Sequence, residues 1–297
     1  WKAIDTRLDR PVAVKLIRPE YADDPLFRHR LRTEAKAIAA IRSPHVVRVH
    51  DVCEDPDPNG GWLSYLVMEL IDGQPLSAVL RSGARRPAEV AALLQQVGSA
   101  LAAAHSRQIV HRDIKPANIM VEGTDSFTVL DFGIARAADA VALTATDMVL
   151  GTARYLAPEQ AESHGASAAS DIYSLGVVAY QCLTGTVPFD ADSDVAVALA
   201  HLREPVPELP SGVPSDLAAL VPRMMAKDPE QRPTATEVVA VAASASRRLL
   251  FSPGVVPDHA AGRPAAPSPT LILPGLAAAA ADDETVAMTA AMTTAVE

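Results

Sequence analysis

The chain is poor in cysteine and, at its start, in glycine. Its 297 residues include two cysteines, Cys53 and Cys182, and no glycine before Gly60. Cysteines so far apart, in no metal-ligand spacing, argue against a disulfide framework or a zinc module. They are read as two buried thiols in a reducing compartment. Basic residues are outnumbered, 26 Lys and Arg against 36 Asp and Glu, for a net charge of −10. The basic footprint that a phosphate backbone requires is therefore missing, which argues against nucleic acid as a partner. No apolar run reaches the ~20 residues of a membrane span. The nearest, from Leu271, is short and carries Pro274. The first residues also lack the basic, apolar and small-residue succession of a signal peptide. These absences set the expectation of a cytoplasmic chain, with room for a membrane anchor on a parent protein beyond Glu297.

What is present can build a core. Hydrophobic residues make up 49% of the chain and charged residues 21%, enough for one or two globular domains. Two alternating stretches, WKAIDTRL and RPVAVKLI, flank a turn signal at Asp9 to Pro11 and predict a β-hairpin. Phe27, Leu31, Ala35 and Ile38 then recur at helical spacing until Ser43-Pro44 stops the run. Two more strand-like runs, VVRVHDVCE and WLSYLVMELI, are separated by the loop DPDPNGG. After Asp72-Gly73 the texture changes to long, alanine-rich, helix-periodic segments, starting with PAEVAALLQQVGSALAAAHS. A short strand pair around NIMVE and FTVLDFG interrupts them. Further helices are expected over SDIYSLGVVAYQCLTG, SDVAVALAHLRE, SDLAALVPRMMAK and ATEVVAVAASASRRLL. From about Ser252 the periodicity is lost, and proline, alanine and threonine dominate a tail expected to be disordered.

The chemistry concentrates in HRDIKPANIM, from His111, and LDFG, from Leu130. Asp113, Lys115, Asn118 and Asp131 place oxygen acceptors and a cation on two short segments that a strand-turn-strand brings together. Such a set suits a polyphosphate with magnesium, because Mg²⁺ takes one or two protein oxygens plus phosphate oxygens. Lys15 ends the apolar stretch VAVK, where an unpaired ammonium is costly and a partner or ligand is required. Glu34 shares the helix face of Leu31 and Ile38, an unusual place for a carboxylate unless a cation meets it. The 131–159 stretch is long and irregular, and loops of that length inside a domain are mostly functional.

These motifs, VAVK at Val12, HRDIKPAN at His111, DFG at Asp131, GTARYLAPE at Gly151, SDIYSLG at Ser170 and DPEQRPT at Asp228, occur in an order that resembles the eukaryotic-type (Hanks-type) Ser/Thr protein kinases. Within that family the chain is most similar to bacterial receptor-type kinases. The resemblance implies an α+β, bilobal fold with a small β-sheet lobe carrying one helix and a larger, mainly helical lobe. The kinase domain would span 1–251, with lobes at 1–72 and 73–251, followed by the 252–297 tail.

The resemblance further implies ATP as cofactor with Mg²⁺, Mn²⁺ being a substitute, and protein substrates with Ser or Thr acceptors. Lys15 would contact the α- and β-phosphates and pair with Glu34. Adenine would lie between Ala13 and Met120, beside Met68 at the gatekeeper position, and bond the carbonyl of Glu69 and the amide of Ile71. Asp113 would be the catalytic base, with Lys115 beside it, and Asn118 and Asp131 would hold the metal. Phe132 and Gly133 complete the DFG motif. Thr144 and Thr146 match activation-loop threonines that such kinases autophosphorylate, and Arg112 would receive the phosphate. Thr152 would support the catalytic loop and acceptor pocket; Glu159 and Arg232 would form a buried, lobe-stabilising ion pair and Asp171 would anchor the catalytic loop from below, all three architectural.

In the family a glycine-rich loop precedes the position of Trp1. A chain beginning there is expected to be a fragment of an active kinase with weak or no activity of its own, the alternative being a pseudokinase that acts as a scaffold. In the tail, Thr285 follows Asp282, Asp283 and Glu284, with Thr289, Thr293 and Thr294 nearby. That segment resembles those bound by phosphothreonine-reading domains.

Overall fold

A computed structural model describes residues 1–56, 60–132 and 153–251. Strands β1 (Lys2–Asp5) and β2 (Arg10–Leu16) form an antiparallel hairpin. Its turn is tightened by the Asp5 carboxylate, which accepts from the Arg7 and Leu8 amides, and by Asp9 at φ +49°. Helices α1 (Pro19–Ala22) and α2 (Pro25–Ala39) follow. The start of α2 is set by Asp24, whose side chain accepts from the Leu26 amide at 2.8 Å, and by Pro25, whose missing N–H costs nothing in the first turn. Its buried stripe is Phe27, Leu31, Ala35 and Ile38. Burying a leucine such as Leu31 contributes about 1.5–3 kcal/mol, and this stripe seats α2 on the sheet.

Strands β3 (Val49–Pro56) and β4 (Trp62–Glu69) complete a four-stranded antiparallel sheet in the order β1-β2-β4-β3. The register sets Ala13 against Met68 and Lys15 against Leu66. A second, three-stranded sheet joins β5 (Gln74–Pro75), β6 (Ile119–Glu122) and β7 (Ser126–Val129). Gly73 stands at the junction of the two regions because a side chain would not fit: a Cβ there would lie 2.4 Å from the Val121 carbonyl oxygen.

The larger region is helical. Helices α3 (Leu76–Val79), α4 (Pro87–His105), α5 (Pro158–Ala161), α6 (Ala168–Thr184), α7 (Asp194–Arg203), α8 (Ser215–Met224) and α9 (Ala235–Phe251) pack around α6 and α4. Every residue of α6 from Ser170 to Tyr180 is buried, as a helix surrounded by others must be. Its start is capped by reciprocal bonds between Ser167 and Ser170, and its end by Gly185 at φ +82°.

The two-residue β5 and the short helices α1, α3 and α5 were not legible as periodic runs. One expectation is corrected: Cys182 is fully buried and its thiol pushed up to about 12, whereas Cys53 is only half-buried. The reason is its position on β3, the edge strand of the sheet, where one side faces solvent. Among the described residues no helix is long and apolar enough to cross a membrane.

Candidate active site

Between the two regions lies an open cleft of about 900 Å³, counting its mouth. Ala13 and Lys15 from β2, Met68 and Glu69 from β4, Ile71 from the junction, Met120 from β6, and Asp131 all line it. Its walls are mostly apolar, with Lys15 and Asp131 together and Glu69 farther along β4, the usual make-up of a small-molecule site.

The 111–118 loop adjoins the Lys15–Asp131 end of this lining, bonded to Leu130 through His111 and Asn118. Asp171, in the first turn of α6 and 1% exposed, organises it from below. Its carboxylate accepts from the backbone amides of His111 and Arg112, each at 2.8 Å, and from His105 Nε2 at 2.8 Å. Arg112 sits at φ +70°, a conformation unfavourable for a residue with a side chain. Strain of that kind, of order 1–3 kcal/mol, persists only where the surroundings impose it, and the Asp171 bonds do so. The buried His111 ring donates from Nε2 to the Leu130 carbonyl at 2.7 Å, accepts from the Asp113 amide at Nδ1, and lies 4.6 Å from the Phe132 ring. One imidazole thus ties the loop to the 130–132 segment.

On this frame Asp113 is held from two sides. Its Oδ2 accepts from Asn118 Nδ2 at 2.9 Å and meets Lys115 Nζ at 2.9 Å. Asn118 Nδ2 also donates to the Asp113 carbonyl at 2.9 Å. With its amide nitrogen so committed, Asn118 has its side-chain oxygen as the atom a cation would take. That oxygen and the Asp131 carboxylate are oxygen donors of the chemical kind a hard divalent ion takes. The residues present therefore fit a metal held largely by a polyphosphate.

Lys15 departs from expectation. Its Nζ lies 2.9 Å from Asp131 Oδ1, and Glu34 is not its partner. Glu34 is half-buried, and its Oε2 has no hydrogen bond. Burial raises its carboxyl above the ordinary value, opposed by the positive charges of Arg112 and Arg30. The physical reason is proximity: an ammonium in a partly desolvated cleft takes the carboxylate within contact range, and the charges nearest Glu34 belong to arginines.

Beneath the site, Glu159 and Arg232 meet at 2.8 Å through both guanidinium nitrogens. Of the other expected residues, Gly133, Thr144, Thr146 and Thr152 lie outside the described residues, as do the tail threonines. His111 and His105 were missed as frame residues. For His111 the signal was its place in the quoted motif, whereas the partner of His105 lies 66 residues away.

A family model described as "Protein kinase domain" matches residues 1–242. The chain belongs to the protein kinase family, in its Hanks-type serine/threonine branch with bacterial relatives. It is 43% identical over 272 residues to the serine/threonine-protein kinase PknA of Mycobacterium tuberculosis, covering 90% of this chain and 62% of that protein. It is 41% identical over 271 residues to PknA of Corynebacterium glutamicum, covering 91% and 58%. With PknB of Mycobacterium tuberculosis it shares 46% identity over 238 residues, covering 77% and 38%. The chain thus spans about three-fifths or less of the length of these relatives. Use of ATP and a divalent metal is general to the family.

Proposed function

We propose that this chain transfers the γ-phosphoryl group of ATP to Ser or Thr hydroxyls of proteins, with Mg²⁺ as the metal. The observation that carries the reading is the fixed Asp113 carboxylate, bonded to Lys115 and Asn118 on a loop pinned by Asp171. ATP with Mg²⁺ supplies the phosphoryl group and neutralises its charge. The rest is positioning and electrostatics by the chain's own groups. Asp113 orients the acceptor hydroxyl and takes its proton. Lys115 stands beside that carboxylate and steadies the charge that develops near it. Asn118 and Asp131 hold the metal, Lys15 binds phosphate oxygens, and Ala13, Met68, Glu69, Ile71 and Met120 receive the adenine.

Activation, in this reading, begins with autophosphorylation at Thr144 and Thr146. The added charge draws Arg112, which now lies in the field of Glu34, and leaves Glu34 available to Lys15. Phosphothreonine-binding domains are the proposed readers of the tail around Thr285.

The test is transfer of labelled phosphate from Mg-ATP to a generic protein substrate such as casein, beside Asp113→Asn. Loss of a positioned base lowers the rate by on the order of 10²–10⁴. Equal labelling of substrate by both proteins would overturn the assignment. Absence of transfer, with partner binding unchanged by Asp113→Asn, would favour a scaffold.

A further inference from the structure

Helix α2 is out of keeping with the charge of its own chain. The protein is acidic, with a net charge of −10, yet residues 25–42 hold five Arg and Lys against one acid, Glu34. Arg28, Arg32 and Lys36 follow one another at i, i+4 and i+8, with His29 beside them, so they form a row of cations along the helix. His29, Arg32 and Lys36 lie on the side opposite the buried stripe of Phe27, Leu31, Ala35 and Ile38 and are exposed, the Arg32 side chain by 55%.

The row works against the helix that carries it. Like charges at i, i+4 repel, and cations near a helix N-terminus oppose its dipole. The first turn of α2 holds no acidic residue, and the cap Asp24 commits its carboxylate to the Leu26 amide. Asp23 is likewise bonded to the Trp62 amide at 2.9 Å. Arg32 does meet an acid, Glu54 Oε2 on β3, at 2.7 Å. The Glu54 side chain is only 9% exposed, however, so its charge is turned inward onto that one contact. The Arg28 guanidinium lies 4.4 Å over the Trp62 ring, an aromatic face that leaves its charge uncancelled. Among the described residues Arg28, His29 and Lys36 have no ion pair.

The same chain supplies a complement. Asp282-Asp283-Glu284 is the one run of three consecutive acids in the sequence, and from Ser252 onward five acidic residues stand against Arg263. Between Phe251, the end of α9, and Asp282 lie 30 residues. Fully extended, such a span reaches about 100 Å, against a diameter of about 45 Å for a folded domain of this size. We propose that the cationic row of α2, Arg28, His29, Arg32 and Lys36, is the seat of the acidic segment Asp282–Thr285 of the same chain. The tether gives that segment a high effective concentration, so a weak and salt-sensitive ionic contact is enough to fill the seat. Because α2 also carries Glu34, the seat lies on the helix whose placement decides the partner of that carboxylate. The contact does not depend on whether the cleft transfers phosphate.

Lys36 is the one amine of the row, and the other lysines of the chain are Lys2, Lys15, Lys115 and Lys227. A zero-length carbodiimide, which joins an amine to a carboxylate in direct contact, therefore reports the seat on the full chain. At low salt, peptide mass spectrometry should find Lys36 linked to Asp282, Asp283 or Glu284, in preference to the exposed Lys2. At an ionic strength of about 1 M, where the Debye length falls to about 3 Å, the link should vanish. An equal mixture of isotope-labelled and unlabelled chains should give links within one copy. Asp282→Asn together with Asp283→Asn should cut the remaining Lys36–Glu284 link about fivefold, and Arg28→Gln should cut it by a smaller factor. Arg32 is left in place, since its loss would strand the buried Glu54 charge. If Arg28→Gln does not fold, the Asp282 and Asp283 substitutions decide the matter, as they lie outside the described residues.

Absence of the Lys36 link at low salt overturns the proposal, as does an equally strong link at Lys2 or one that survives high salt. An undiminished Lys36–Glu284 link after the two aspartate substitutions also overturns it. Links found only between labelled and unlabelled copies would make the occupant a second chain. Capture of the chain by phosphatidylserine vesicles, with no Lys36 link, would make it a membrane surface. Either result overturns docking within one chain. A chain that shows the link but transfers no phosphate supports the seat and counts against the kinase reading alone.

Discussion

Arg232 and Glu159 form a closed ion pair: all five guanidinium N–H donors are taken, two by Glu159 and the others by the carbonyls of Ala169, Ala226 and Lys227. The Arg232 side chain has no exposure and Glu159 receives a further bond from the Ser170 hydroxyl at 2.6 Å. Removing one partner leaves the other charge buried and alone, which costs about 3–5 kcal/mol. Arg232→Ala should lower the urea midpoint accordingly, and a midpoint within error of wild type would contradict the structural role.

The same pair sets an acid limb. Burial by itself would raise the Glu159 carboxyl, but the bonds from Arg232 and Ser170 outweigh it and hold the group below its ordinary 4.5. A carboxyl depressed in the folded state contributes stability that is present above 4.5 and is lost as pH falls through the lower, folded value. Unfolding free energy followed from pH 7 downward should therefore decline more gently in Glu159→Gln, from a lower starting value. Parallel curves would show that another group governs the decline.

Glu34 carries the opposite sign. Its carboxyl is raised by burial, so at neutral pH the folded state holds a charge that the unfolded state accommodates better. Glu34→Gln should melt at the same or a higher temperature than wild type at pH 7, and any gain should vanish as pH falls below 4.5. On the proposed activation route the same variant should lose most phosphoryl transfer. A protein destabilised at pH 7 would mean that Glu34 has a favourable partner.

Gly73 should tolerate no side chain. The atom a Cβ would meet is a backbone carbonyl, which cannot turn aside as a flexible side chain can. Gly73→Ala should cost about 1–3 kcal/mol through overpacking. Thermal denaturation checks this, and a melting temperature equal to wild type would show that β6 yields.

The parts legible in the sequence are those with short-range physics. Helix α2 could be placed because Phe27, Leu31, Ala35 and Ile38 repeat with the helical period. The candidate catalytic loop could be picked out because Asp113, Lys115 and Asn118 fall within a few residues of one another. What could not be read depends on distance in space. Asp171 reaches across 60 residues to His111, a contact that the resemblance implied and no local pattern signals. His201 meets Arg154 across 47 residues. The partner of Lys15 was misread because two carboxylates were available and only the folded chain decides which one arrives in contact.

The small sheet is joined to the larger region at a second place besides the Ile71–Gly73 junction. Just before β3, Val46 bridges to Val129, with Val47 donating to the Val129 carbonyl at 3.0 Å and the Val129 amide donating to His45 at 2.8 Å. Among the described residues the two regions are thus tied by backbone bonds as well as by the Lys15–Asp131 ion pair, and sliding of the small sheet across the larger region would have to break those β-bridge bonds, whereas rotation about the line through the two backbone links would part the ion pair first.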